Sequence, residues 1–278
     1  MVDPLHIDRD GHRTWLKWHR ARRKATDPVF TTTRILEGMR LGASVEVDLV
    51  IHADHGCAVL HNFELEKETT GRGLVRGTSA EVLRGLYLRD NGGAILPDKV
   101  LLLEDLCALL VEQPAQQGAL LQLDFKEDLA ALDDRTIANF ANSVGPVADA
   151  FILSGGDIGA IRTLSSAVPA LKTGYDPCYG DSLARLQASG DFASFIGEAL
   201  TAAPQADMIY LAYEIVLSAQ DAGFDIVGPI HAVGKRVDAW TIRQVTPASL
   251  EQIERLLALK VDQITTDDPE GLHAALAP

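Results

Sequence analysis

The chain has 278 residues and is 47% hydrophobic, enough for one large core in a single domain spanning residues 1–278. Its 25 Lys and Arg stand against 39 Asp and Glu, a formal charge of −14, which argues against a nucleic-acid partner or an anionic membrane surface; any bound anion needs a local site. Cys57, Cys107 and Cys178 are too few and too widely spaced for a disulfide framework or a cysteine metal site, the N-terminus is polar, and no apolar run is long enough to span a bilayer, so the expectation is a cytoplasmic protein of unspecified oligomeric state.

In chain order, strand-like segments are predicted near Trp15 to His19, Ser44 to Val50, Leu120 to Phe125, Ala150 to Ser154, Ala170 to Gly174, Asp207 to Leu211, Arg236 to Thr241 and Asp262 to Thr266. Between them lie helical patterns at Thr31 to Arg40, Leu102 to Val111, Ile158 to Ala167, Leu183 to Ala202, Tyr213 to Ala222 and Pro247 to Leu259. Eight strands alternating with helices imply a parallel sheet, and the fold expected is a (β/α)8 TIM barrel. Phe63 to Asp98, rich in Gly, charge and turn residues, breaks this rhythm and reads as a loop insertion at the barrel mouth.

Chemistry gathers between Gly42 and Asn62. In Ser44-Val45-Glu46-Val47-Asp48-Leu49-Val50 the two carboxylates alternate with apolar residues, so on a strand Glu46 and Asp48 share one face while Val45, Val47 and Leu49 face the covering helices. Inward carboxylates lose hydration and repel one another, and a divalent cation is the simplest compensator; spacing alone fits a solvated strand face equally well. Polar residues recur where the other strands end: His19 and Arg20 on the first, Asp124 and Lys126 on the third, Ser154 on the fourth, Trp240 on the seventh, Thr266 and Asp267 on the eighth. That is the end at which parallel barrels build their sites.

These residues carry a resemblance to the glycerophosphodiester phosphodiesterase family, which has a (β/α)8 barrel. His19-Arg20 resembles its opening His-Arg-Gly; Gly42-Ala43 through Glu46-Val47-Asp48 its Gly-Ala-x-x-Glu-x-Asp; Val59-Leu60-His61-Asn62 its second histidine motif. Leu123-Asp124-Phe125-Lys126 resembles Leu-Glu-x-Lys, Val237 to Thr241 resembles Val-x-Ala-Trp-Thr, and Val261 to Pro269 resembles Val-Asp-x-Ile-x-Thr-Asp-x-Pro. The order of these matches is the specific signal. The resemblance implies that Glu46, Asp48 and Asp124 hold Mg2+ or Ca2+, that His19 and His61 are the acid–base pair with His61 as the acid, and that Arg20 and Lys126 bind phosphate. Departures are Ala21 in place of glycine, no Pro-Glu-Asn-Thr after it, Asn62 in place of aspartate, and Asp124 in place of glutamate.

The implied substrate is a small-molecule phosphodiester, with a sugar phosphodiester of the agrocinopine type or a catalytically silent barrel binding a phosphorylated ligand as alternatives. If the loop after the first strand stays extended, Arg20 and Arg22 share a face, and Arg22 is expected to contact the alcohol part of the substrate with Trp240 lining the pocket. Other features read as structural: His52-Ala53-Asp54-His55 as a polar turn, Ser154 and Asp267 as helix caps, Gly71-Arg72-Gly73 as loop, and His6, His12 and His231 as satisfied or surface residues.

Overall fold

The computed structural model describes residues 3–276. Eight parallel strands close into a barrel: β1 His12–Trp18, β2 Ser44–Ile51, β3 Leu120–Phe125, β4 Phe151–Gly155, β5 Lys172–Tyr175, β6 Met208–Ala212, β7 Arg236–Ile242 and β8 Gln263–Thr266. Each pairs with the next, and β8 returns to β1 with Thr266 opposite Trp18. All eight expected strands are present, with no end moved by more than three residues and Leu120–Phe125 unchanged. No helix among the described residues is long and apolar enough to cross a membrane.

Period-two alternation explains how each strand serves two environments. In β2, Val45, Val47 and Leu49 are fully buried in an apolar cluster with Ile35 and Met39 of the helix Thr32–Leu41. That helix approaches so closely that a Cβ on Gly38 would lie 2.5 Å from Val45 Cγ2, and it ends where Gly42 takes φ +85°, a left-handed stop that favours glycine. The barrel interior is apolar only near its base, where Leu120, Ile152 and Met208 pack with Tyr210. Above that layer the inward side chains are polar: Lys17, Gln122, Asp238, Gln263 and Thr265 are all buried.

β1 and β2 are joined by only two residue pairs, Lys17 with Ser44 and Trp18 with Val45. The rest of that edge of β2 is taken by the short strand Cys57–Val59, which runs antiparallel with Val59 opposite Leu49. This wedge carries the following His61 to the mouth between β1 and β2. A second antiparallel strand, His6–Arg9, covers the base of β1.

One expected helix is split, and further helices join those expected. Leu183 to Ala202 is two helices, Ser182–Ser189 and Phe192–Ala202, because Gly190 turns left-handed at φ +64° and Asp191 caps the second. A helix at Asp134–Val144, capped by Asp133, follows β3 although its apolar stripe is sparse, and Pro269–Leu276 closes the last unit. The insertion is more ordered than a loop. It holds a short helix, Ala80–Gly85, and a hairpin of Tyr87–Arg89 with Ile95–Lys99, and it sends Leu65, Val75, Leu83 and Leu88 into the main core.

Candidate active site

A cavity of about 600 Å³ opens at the C-terminal ends of the strands. His19, Arg20, Glu46, His61, Asp124, Lys126 and Trp240 line it, so most of the residues singled out by the sequence share one space. Oxygens of Glu46, Asp48 and Asp124 lie within 4.8 Å of one another. Glu46 and Asp48 are buried inside the barrel, as the alternation requires.

Burial and the neighbouring Asp48 push the Glu46 carboxyl well above its ordinary range. Burial acts on Asp48 in the same direction, but Lys126, Arg20 and His61 outweigh it and hold Asp48 low. The Lys126 ammonium donates to Asp124 and lies 2.6 Å from Asp48 Oδ1; burial opposes its charge, yet the three acids raise its pKa well above the usual value. Asp48 Oδ2 accepts no hydrogen bond, with Arg20 Nε 3.3 Å away. Three carboxyl groups thus converge on two cations, and one buried carboxylate oxygen is left without a partner. The donor set is hard, anionic and convergent, which fits a divalent cation bound by oxygen.

His19 lies just past β1 in a tight turn, His19–Ala21, rather than on the strand. Arg20 and Ala21 are both left-handed, at φ +52° and +58°. The bend directs the Arg20 backbone N–H onto Glu46 Oε2 at 2.7 Å, so Ala21 stands at a strained position where the resembled motif has glycine. The His19 ring is held by a residue that the sequence reading assigned to a helix cap: Asp267 Oδ1 lies 2.5 Å from Nδ1. A carboxylate only accepts, so Nδ1 carries the hydrogen and Nε2 is left with a lone pair. Burial lowers the pKa of His19, opposed by Asp267. The cap of the last helix is Asp268, which accepts from Gly271 N at 2.8 Å.

Arg22 is not on the cavity wall. With residues 19–21 coiled instead of extended, its guanidinium turns behind His19 and donates to Asp267 Oδ1 at 2.5 Å, with the side chain only 10% exposed. The expected inward position of Arg22, beside Arg20 and toward a head group, is not found, because its guanidinium is taken by Asp267. Arg243, missed in the sequence, is the wall cation that has no ion-pair partner among the described residues.

His61 follows the wedge strand, and Glu68 fixes it by accepting the backbone N–H of both His61 and Asn62 at 3.0 Å. Burial lowers the His61 pKa against the pull of Asp48, and its Nδ1 has no partner. Ser154 is not a cap: Asp157 caps the helix after β4, and Ser154 Oγ donates to Asp124 Oδ1 at 2.8 Å. Opposite the acids, Trp240 and Tyr210 present polar atoms that are buried without partners. Asp176 closes the wall at the end of β5, its carboxyl pushed up to about 7 by burial, against the N–H of Cys178. Of residues 63–98, Phe63 is the one that lines the cavity.

No family model and no curated protein sequence matches the chain. Its structure does match solved ones. A glycerophosphoryl diester phosphodiesterase from Parabacteroides distasonis aligns with 98% of this chain and 89% of its own at 17% identity, TM-score 0.66. A glycerophosphodiester phosphodiesterase from Agrobacterium tumefaciens aligns over 94% and 99%, also at 17% identity and TM-score 0.66. An Oleispira antarctica phosphodiesterase, solved in complex with the product sn-glycerol-3-phosphate, aligns over 95% and 96% at 17% identity, TM-score 0.65. In fold, the chain is a (β/α)8 barrel of the kind found in glycerophosphodiester phosphodiesterases.

Proposed function

We propose that the chain is a metal-dependent phosphodiesterase that hydrolyses a small, soluble phosphodiester, most simply a glycerophosphodiester, to a phosphomonoester and an alcohol. One observation carries the reading: three carboxylates converge, two of them buried, and two of them line a cavity with two histidines and two cations, in the order that the family's motifs place them. The product held by the Oleispira phosphodiesterase supports a substrate of this size.

Glu46, Asp48 and Asp124 would hold Mg2+ or Ca2+, which when bound supplies Lewis-acid stabilisation of charge on the phosphoryl oxygens. With all three carboxylates ionised around a divalent cation, and Arg20 and Lys126 beside them, the site would carry one net positive charge, which suits a phosphodiester monoanion. Arg20 and Lys126 then donate to the non-bridging oxygens, where charge grows as the bond breaks. His19 Nε2, unprotonated because Asp267 claims Nδ1–H, takes the proton of the attacking water, or of a substrate hydroxyl, in which case water then opens the cyclic phosphodiester to the phosphomonoester. His61 gives a proton to the departing alkoxide. Trp240 and Arg243 face the alcohol half of the substrate from the β7 side.

The test is turnover of a panel of glycerophosphodiesters and one sugar phosphodiester by the full chain with Mg2+ or Ca2+, against an EDTA-treated control. Metal-dependent release of glycerol phosphate is expected. Full activity without metal sinks the metal assignment, and binding of glycerol phosphate with no turnover of any diester leaves a ligand-binding barrel instead.

A further inference from the structure

Beneath the acids, the barrel interior holds a lysine with no role in the chemistry above. Lys17 is 1% exposed, its ammonium 3.0 Å from Asp238 Oδ2 and 4.4 Å from the centre of the Tyr210 ring. Asp238 is fully buried and also accepts from Thr265 Oγ1 at 2.7 Å and Gln263 Nε2 at 2.5 Å. An ion pair in the interior gains little stability over apolar packing of the same volume, so its geometry calls for another explanation.

The explanation lies in direction. An ammonium has donors only, and Lys17 donates to Gln122 Oε1. With its oxygen claimed, the amide must turn its nitrogen the other way, and Nε2 meets Ser154 Oγ at 2.7 Å. Because that nitrogen is also donor-only, the serine oxygen accepts and its hydrogen goes onward, to Asp124 Oδ1 at 2.8 Å. An isolated glutamine amide has two equivalent flips and an isolated serine hydroxyl turns freely; here the charge on Lys17 selects one arrangement of both. Asp124 thus receives a hydrogen bond at Oδ1 from below and the Lys126 ammonium at Oδ2.

We propose that Lys17, Gln122 and Ser154 form a one-way hydrogen-bond relay, anchored by Asp238, that positions the Asp124 carboxylate as the third ligand of the divalent cation. The proposal rests on the metal reading above. Asp124 is one methylene shorter than the glutamate of the resembled motif, so its reach depends on the orientation of the carboxylate, and partners behind a metal ligand commonly govern affinity ~10- to 100-fold.

The experiment is Mn2+ binding to the full chain, measured by calorimetry and by the electron-spin signal of free Mn2+, with no substrate present. Ser154→Ala is expected to weaken binding about 10-fold or more, while Ser154→Thr, which keeps the hydroxyl, retains it. Gln122→Glu is the sharper variant because it is nearly isosteric. It adds a negative charge beside the acids, which by charge alone tightens Mn2+ binding, yet a carboxylate cannot donate to Ser154, so the relay predicts weaker binding. Tighter binding by Gln122→Glu, or Ser154→Ala within twofold of the parent, overturns the relay while leaving the metal site standing. A parent chain that binds no Mn2+ overturns both. Melting curves for each variant separate loss of binding from loss of fold.

Discussion

Asp267→Asn isolates the residue that the sequence placed in a helix cap. Two donors converge on Asp267 Oδ1: His19 Nδ1 and Arg22 Nη2, each 2.5 Å away, with the Asp267 and Arg22 side chains 7% and 10% exposed. Asparagine keeps the shape and removes the charge. If its amide nitrogen turns to His19, the ring must carry its hydrogen on Nε2, and the lone pair needed for proton abstraction is lost. In a serine-protease triad, the same substitution behind the histidine lowers kcat ~10,000-fold; a loss of ~100- to 10,000-fold is expected here, the range for a displaced acid or base. Arg22 meanwhile keeps its charge in a buried place without a counter-ion, a stability cost of about 3–5 kcal/mol. These effects separate in the pair Asp267→Asn and Arg22→Met/Asp267→Asn. The double variant removes the stranded charge and should recover most of the denaturation midpoint while turnover stays low. Steady-state kinetics on a metal-dependent substrate, beside urea unfolding, gives both numbers. Asp267→Asn with kcat within about threefold of the parent would refute the tautomer argument, and activity that returns with stability would show that Asp267 acts only through the fold.

Glu46→Gln, Asp48→Asn and Asp124→Asn should each abolish turnover by removing one charge from the cation site, and EDTA should reproduce the loss; a chelated preparation with full activity contradicts this. His19→Ala and His61→Ala should each lose ~100- to 10,000-fold on an alkyl diester, but on a nitrophenyl ester, whose leaving group needs no proton, His61→Ala should recover and His19→Ala should not; equal losses on both substrates defeat the division of labour. Asp176→Asn addresses pH and stability. The wild-type carboxyl titrates near 7 when folded against 3.8 in its ordinary state, so the folded protein holds the proton more tightly, and this contribution is present below pH 4 and lost as pH rises through 7. The asparagine variant should match the parent in urea at pH 4 and exceed it at pH 8 by at most about 4 kcal/mol, less where water enters the mouth; a gain at pH 4 and none at pH 8 reverses the sign and rejects the buried-acid account.

What could be read from the chain, and what could not, divides by how far apart the partners lie. The strands were legible because each is a local pattern, and the alternation in Ser44 to Val50 placed Glu46 and Asp48 inward before any neighbour was known. Motif order then brought Asp124, Lys126 and both histidines to the same mouth. Asp267 escaped because its partners are about 245 residues away in sequence, and an aspartate ahead of Asp-Pro looks locally like any helix cap. Ser154 escaped for the same reason, its acceptor 30 residues earlier on the neighbouring strand. Arg22 failed differently. Its inward placement assumed an extended loop, in which residues two apart share a face, but left-handed Arg20 and Ala21 coil the chain and turn Arg22 behind His19. That bend also delivers the Arg20 N–H to Glu46. The strain at Ala21 is consequently coupled to the site: the turn that takes Arg22 off the cavity wall places its guanidinium on Asp267 Oδ1, the same oxygen that holds His19 Nδ1. Arg22, expected from the sequence to face the alcohol part of a substrate, instead forms the wall behind His19.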